Sequence, residues 1–236
     1  MREAGELQQL RARIERLEGE LEQALSAVVD RDRDLISMKH KLDKARVDFL
    51  TKLHTRVVFE ERLAAQVAEC LRDGTYMTVM MVDLGGLGDV NKEYGHIPGG
   101  DRMLVRLAKI LEDSIRGSDT VARVSAEDDG VAGDARDETL VRWGGDEYGL
   151  LLRHADETVA AAVIGRVRRA VEDAFVRVGK GRGTLIPLKA SIGVAVGCGD
   201  QLTEDIREVA DAALGEAKEA RKSADECFSY EMRVMG

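Results

Sequence analysis

Arg142-Trp143-Gly144-Gly145-Asp146-Glu147-Tyr148 lies between two apolar, β-type stretches, Thr139 to Trp143 and Tyr148 to Leu152. Two short strands flanking a glycine pair predict a hairpin with a tight turn. Glycine tolerates positive φ there and lets a ligand approach the backbone closely. The two acids project from the tip. Adjacent carboxylates repel each other, so a positive group is expected beside them, most simply a divalent cation. An ordinary solvated acidic turn would carry the same residues, so the reading needs support elsewhere in the chain.

That support is sought upstream. Tyr76 to Leu84 is a β-type apolar run with Asp83 near its end, followed by Gly85, Gly86 and Gly88. A carboxylate at the end of a buried strand is costly unless hydrogen-bonded or metal-bound. If this strand neighbours the hairpin, Asp83 joins Asp146 and Glu147. Otherwise Asp83 reads as a cap for the next helix. Val57 to Leu71 predicts an amphipathic helix ended by Asp73-Gly74, and Asp101 opens another through Leu111. Thr120 to Val124 reads as a strand, and Ser125 to Glu138 as an acidic surface loop. Downstream, Glu157 to Val178 reads as a helix, Leu185 to Val196 as a strand and Thr203 to Lys222 as a helix. Strands alternating with helices predict an α/β fold, a sheet with helices packed on it.

The first fifty residues follow a different rule. Leu7, Ile14, Leu21, Val28, Leu35, Leu42 and Phe49 recur every seven residues; Leu10, Leu17, Ala24, Met38 and Ala45 follow three places later, with Arg31 interrupting. This heptad pattern predicts a long coiled-coil helix whose seam needs a partner, most simply a parallel homodimer. A helix folded back on its own domain is the other reading. The expected domains are 1–47, a coiled-coil dimerisation helix, and 48–236, a globular domain.

Whole-chain properties narrow the class. A net charge of -9 over 236 residues argues against a nucleic-acid binder dominated by phosphate contacts. No apolar run is long enough to predict a membrane span, and the charged start lacks a secretion segment. Cys70, Cys198 and Cys227 are scattered and odd in number, as expected of reduced thiols, and a cytoplasmic location is expected.

From Asp48 to about Lys222 the chain resembles the GGDEF family of diguanylate cyclases. The resemblance rests on Asp48 to Arg56, on Asp83 to His96, on Gly144 to Tyr148, on Ala190-Ser191-Ile192-Gly193-Val194-Ala195, and on Ala210 to Leu214 with Ala217-Lys218. It implies a central mixed sheet flanked by helices, the palm fold of nucleotidyl cyclases. It also implies condensation of two GTP into cyclic di-GMP and two pyrophosphates, with Mg²⁺ (or Mn²⁺), at a dimer interface. By resemblance, Asp83, the Leu84 carbonyl, Asp146 and Glu147 hold the metals, and Asp146 and Glu147 are catalytic. Asn91 and Asp101 read guanine, whose N1–H and 2-amino group suit a carboxylate. Lys218 and Lys222 meet phosphate. Arg116, Asp119 and Arg123 resemble a site where cyclic di-GMP inhibits.

Several positions depart from the family pattern. Gly85 replaces an acid, and Leu87-Gly88 replaces a Phe-Lys pair, so a phosphate-binding lysine is missing. The turn Gly95 to Asp101 is one residue longer, which leaves Gly100 at the base-reading place if the insertion is ignored. Arg221-Lys222-Ser223 stands where the family has Gly-Arg-Asn. Two further functions therefore stay open: a catalytically degenerate module that binds GTP or cyclic di-GMP, and a relaxed cyclase making a mixed cyclic AMP-GMP dinucleotide.

Overall fold

The computed structural model describes residues 46–116, 138–179 and 183–235, with scattered helical positions between 13 and 35. The chain divides into two units, Met1–Ala45 and Arg46–Gly236. In the first, the heptad residues Leu21, Val28 and Leu35 are helical, and each is more than half exposed.

The heptad series does not extend to Phe49. That residue lies in a turn and is 82% exposed. The Asp48 carboxylate accepts from the Thr51 amide at 2.8 Å and the Thr51 hydroxyl at 2.7 Å. Such local side-chain bonding offers the backbone an alternative to helix, and here it prevails over the apolar period.

In the second unit, β1 (His54–Thr55) leads into α1 (Arg56–Asp73), which ends at Gly74 in the left-handed conformation. β2 (Tyr76–Gly85), α2 (Leu87–Tyr94), a π-helical turn (His96–Gly100) and α3 (Asp101–Arg116) follow. β3 (Glu138–Gly144) and β4 (Glu147–Arg153) form the hairpin. Then come α4 (Glu157–Glu172), β5 (Phe175–Val178), β6 (Thr184–Pro187), β7 (Lys189–Cys198), α5 (Ile206–Ala224) and β8 (Phe228–Val234).

The main sheet runs β1-β3-β4-β2-β7-β8. The β1/β3 and β7/β8 pairs are parallel and the others antiparallel, so the sheet is mixed, with helices on both faces. β2 lies at its centre, which is why its sequence is continuously apolar rather than alternating. Met80, Val82 and Leu84 face a core shared with α3 and α4. Met77, Val79 and Met81 face one shared with α1 and α5. Each such fully buried side chain contributes about 1.5–3 kcal/mol. The alternation carries Asp83 and Gly85 onto the α5 face.

Two further expectations need correction. The helix from Glu157 stops at Glu172 rather than Val178, because Phe175–Val178 alternates exposed and buried and pairs with Thr184–Pro187 as a separate two-stranded sheet. The stretch Leu185 to Val196 is two strands, parted at Leu188, whose amide turns to the Ala174 carbonyl at 2.9 Å. β8 was not anticipated at all. The expected strand Thr120 to Val124 and the loop up to Asp137 lie outside the described residues. Against β7, α5 approaches so closely that a Cβ on Gly193 would come within 2.1 Å of both the Ala210 carbonyl and the Leu214 amide.

Candidate active site

The last residues of β2 meet the hairpin. Asp83 stands opposite Glu147 on β4 and opposite Ser191 on β7. Beyond that pair, the Leu84 amide donates to the Asp146 carbonyl at 3.0 Å. This bond draws the turn onto the strand end. Asp83 and Glu147 share one cation. Lys218, from the α5 face, places Nζ 2.9 Å from Asp83 Oδ2 and 3.2 Å from Glu147 Oε1. Burial works to lower the Lys218 pKa, but hydrogen bonding and attraction to Asp83 and then Glu147 outweigh it and hold it above the ordinary lysine value.

The hairpin tip is a two-residue turn, Gly145-Asp146, between β3 and β4. Gly145 has φ +53°, a region costly for side-chain-bearing residues. Arg142 braces it. Its Nε and Nη2 donate to the Gly145 carbonyl at 3.1 and 2.7 Å, while Nη1 reaches both Asp48 carboxylate oxygens at 3.2 Å. Burial tends to raise the Asp48 pKa; the Thr51 amide, the Thr51 hydroxyl and Arg142 together bring it below the ordinary aspartate value. Trp143 packs edge-on against Phe59 with ring centroids 5.1 Å apart, and the Arg56 guanidinium lies 4.6 Å from its ring centre. On the other side of the sheet, the buried Tyr148 hydroxyl donates to the Leu104 carbonyl at 2.8 Å, tying the hairpin to α3. Burial pushes the Tyr148 pKa up.

A second group surrounds the lengthened turn. The extra residue falls in the π-helical turn, which is wider than an α-turn, and α3 begins at Asp101. The Asn91 side-chain oxygen is buried with no hydrogen-bond partner among the described residues. A Cβ on Gly100 would come within 2.1 Å of that oxygen, so this Asn91 conformer excludes any side chain at 100. Asp101 is half-buried.

The remaining site residues fall as follows. Lys222 is exposed and pairs with Glu219 at 3.0 Å; the buried cation at this end of α5 is Arg221. Arg116 is the last residue of α3. Asp119 and Arg123 lie outside the described residues. Among the described residues no three His, Cys, Asp or Glu side chains stand together as a preformed metal cluster. The acids of the hairpin region are instead organised around Lys218. The pairing of Asp48 with Arg142 and the burial of Arg221 are not evident from the sequence. Asp48 and Arg142 could have been matched only by knowing that β3 runs beside the segment before α1.

The family model described as diguanylate cyclase, GGDEF domain, matches residues 45–131 and 133–224. The chain is 28% identical over 214 residues to the bifunctional diguanylate cyclase/cyclic di-GMP phosphodiesterase MucR of Pseudomonas aeruginosa, covering 90% of this chain and 27% of that protein. It is 29% identical over 172 residues to diguanylate cyclase DosC of Escherichia coli, covering 73% of this chain and 33% of that one. It is 32% identical over 182 residues to the probable diguanylate cyclase DgcT of Escherichia coli, covering 76% and 35%. The chain thus spans roughly a quarter to a third of the length of these relatives. Among solved structures, diguanylate cyclase SiaD of Pseudomonas aeruginosa, in complex with its activator SiaC, matches with TM-score 0.60 and 26% identity, covering 95% of this chain and 75% of that one. The coiled coil and GGDEF domain of DgcB from Caulobacter crescentus, in complex with c-di-GMP, matches with TM-score 0.64 at 21% identity, covering 92% and 98%, a likeness of fold. Among the described residues, no helix is long and apolar enough to cross a membrane.

Proposed function

The chain belongs to the GGDEF family of diguanylate cyclases, and from that premise we propose that it condenses two GTP into cyclic di-GMP, releasing two pyrophosphates. The observation that carries this reading is the convergence of Asp83 and Glu147 on Lys218 at the strand end, beneath the Gly145-Asp146 turn. An anionic reaction needs cations and acids within one small volume, and these supply both. Lys218 neutralises phosphate, and Asp146 takes the proton of the attacking 3′-hydroxyl. No covalent enzyme intermediate is required, so positioning and electrostatics carry the rate.

Hard carboxylate oxygens suit Mg²⁺ or Mn²⁺, and two of them already converge on one cation. Asp83, Asp146, Glu147 and the Leu84 carbonyl would hold the metal, which when bound polarises the α-phosphate. Guanine would be read by Asn91 and Asp101. The buried Asn91 oxygen lacks a donor, and an unmet acceptor costs about 1–3 kcal/mol; a guanine N–H would supply it. Adenine lacks the N1–H and 2-amino donors and would leave the acceptors unmet.

Two subunits are needed, each holding one GTP. The helical, exposed Leu21, Val28 and Leu35 support a parallel coiled coil that brings them together. Arg116, with Asp119 and Arg123, is assigned to feedback by cyclic di-GMP; equal product affinity in wild type and Arg116→Ala would remove that assignment. GTP supply and free cysteines fit a cytoplasmic setting.

A second reading, a nucleotide-binding module without turnover, is favoured by Lys218 engaging both acids and by the missing side chain at Gly88. Incubating pure protein with GTP, ATP or both under Mg²⁺, then weighing the products, separates the readings. Cyclic di-GMP from GTP alone is expected, and none from Asp146→Ala. A mixed dinucleotide would mark a relaxed cyclase, and tight GTP binding without product a sensor.

A further inference from the structure

Arg221 lies three residues beyond Lys218 on α5, so both side chains leave the same face of the helix. Lys218 has two carboxylates. Arg221 has none. It is 7% exposed, and its one side-chain hydrogen bond among the described residues runs from Nε to the Ser191 hydroxyl at 2.8 Å. A guanidinium stays charged at any pH a protein survives. A buried charge without a counter-ion is strongly unfavourable, and a single neutral hydroxyl does not offset it.

The position of the guanidinium is equally specific. A Cβ on Gly85 would come within 2.6 Å of Cζ, 2.6 Å of Nη1 and 2.8 Å of Nη2. The planar fork therefore rests on the bare backbone of Gly85, in space that any other residue would fill. Gly85 is two residues beyond Asp83 on the same face of β2, and it begins the stretch Gly85–Gly88 that enters α2. Both Gly85 and Arg221 depart from the family pattern in the sequence, one losing an acid and the other gaining a cation. The structure brings the two departures into contact. The exchange leaves a net positive, unneutralised fork beside the strand end where Lys218, Asp83 and Glu147 meet.

We propose that Arg221 is a phosphate-binding residue of the nucleotide site, supplying through its fork the cation that position 88 lacks, with Gly85 as the space that admits it. The inference rests on the GTP reading and deepens it. A guanidinium fork pairs with two phosphate oxygens at once, so the ligand group is the polyphosphate and not the base.

The test compares wild type, Arg221→Met and Arg221→Lys by calorimetric titration with three probes: a GTP analogue with a non-cleavable α,β bridge, inorganic tripolyphosphate, and guanosine. Thermal melts of each variant accompany the titrations. Arg221→Met is expected to weaken the GTP analogue and tripolyphosphate by about ten- to a hundred-fold and to leave guanosine unchanged. Arg221→Lys, which keeps charge and loses the fork, is expected to recover part of the loss. Equal affinity of wild type and both variants for the two phosphate probes overturns the proposal while leaving the GTP reading intact. A parallel loss for guanosine in either variant reduces Arg221 to a packing residue and overturns it too. Wild type binding tripolyphosphate but not guanosine, with Arg221→Met losing it, sustains the anion site and removes the base reading. Wild type binding neither phosphate probe overturns both.

Discussion

Replacing Asp48 by Asn tests the brace beneath the hairpin tip. The variant keeps the shape of the side chain and an oxygen for Thr51, but turns an amide N–H₂ toward Arg142 Nη1, which sits 3.2 Å from both wild-type oxygens. The two side chains are only 15% and 14% exposed, so water compensates little. A hydrogen bond to a charged partner is worth about 1.5–3 kcal/mol, and losing the carboxylate charge beside the guanidinium adds to the loss, while Gly145 and the remaining side-chain oxygen still hold Arg142 in part. The expected cost is about 2–3 kcal/mol, or a fall in Tm of about 5–10 °C for a domain of this size. The pH dependence provides the sharper check. Hydrogen bonds from Thr51 and Arg142 outweigh burial and depress the native Asp48 pKa. Its stabilisation is thus complete above the unfolded value of about 3.9 and disappears as pH falls through the lower native value. Urea midpoints measured from pH 7 downward should show a constant gap between wild type and Asp48→Asn to about pH 4, and convergence below it. A gap that is absent at pH 7, or that persists undiminished at pH 3, refutes the reasoning.

Other outcomes follow from the same contacts. Gly193→Ala drives a methyl into the Ala210 carbonyl and Leu214 amide; backbone cannot yield as a side-chain end can, so a loss of about 3 kcal/mol or more is expected, seen as insoluble or low-melting protein. Lys218→Met leaves Asp83 and Glu147 facing each other without a cation and should cost about 1–3 kcal/mol at neutral pH. Because its native pKa is raised, wild type should keep this advantage below about pH 10 and lose it as pH climbs through the native value; a gap unchanged at high pH in urea melts would contradict the ion pairing. Deleting Met1 to Ala45 should lower turnover most at low protein concentration by weakening dimerisation, and a truncated monomer, verified by sedimentation, that is as active as the full chain would break that link.

Local signals in the sequence were the dependable ones. The hairpin was legible because a glycine pair between two apolar, β-type stretches specifies a turn within a few residues. The end of α1 was legible because Gly74 takes a left-handed cap. What failed depended on distant partners. Val171, Val176 and Val178 continue an apolar spacing that a helix could use, and only the pairing of β5 with β6 shows that the period has changed to two. Leu185 to Val196 is apolar enough to read as one strand, and the Leu188–Ala174 bond that divides it crosses to another element. Phe228–Val234 mixes polar and apolar residues as an edge strand does, and it forms only because β7 is there to pair with it. Phe49 fitted the heptad count, yet Asp48 and Thr51 hold a turn against it.

The site divides along the same line. Asp83, Asp146, Glu147 and Lys218 could each be named from a motif, but their mutual arrangement could not. The register Asp83↔Glu147 follows from β2 lying between β4 and β7, and the reach of Lys218 follows from α5 resting on Gly193. Gly85 and Arg221 show what is lost when residues are taken singly. Alone, a glycine for an acid reads as a missing group, and an arginine for a glycine reads as a surface change. Strand alternation sets 83 and 85 on one face, and helical spacing sets 218 and 221 on another. Once α5 lies across β2, each acid position meets a cation position: 83 meets 218, and 85 meets 221. An acid at 85 would push the Arg221 fork off the strand and neutralise it within the protein, as Asp83 neutralises Lys218. Its absence leaves one of the two cations uncommitted. A change that looks like decay in the sequence therefore becomes, in three dimensions, a redistribution of charge from the protein's own ion pairs toward whatever anion enters the site.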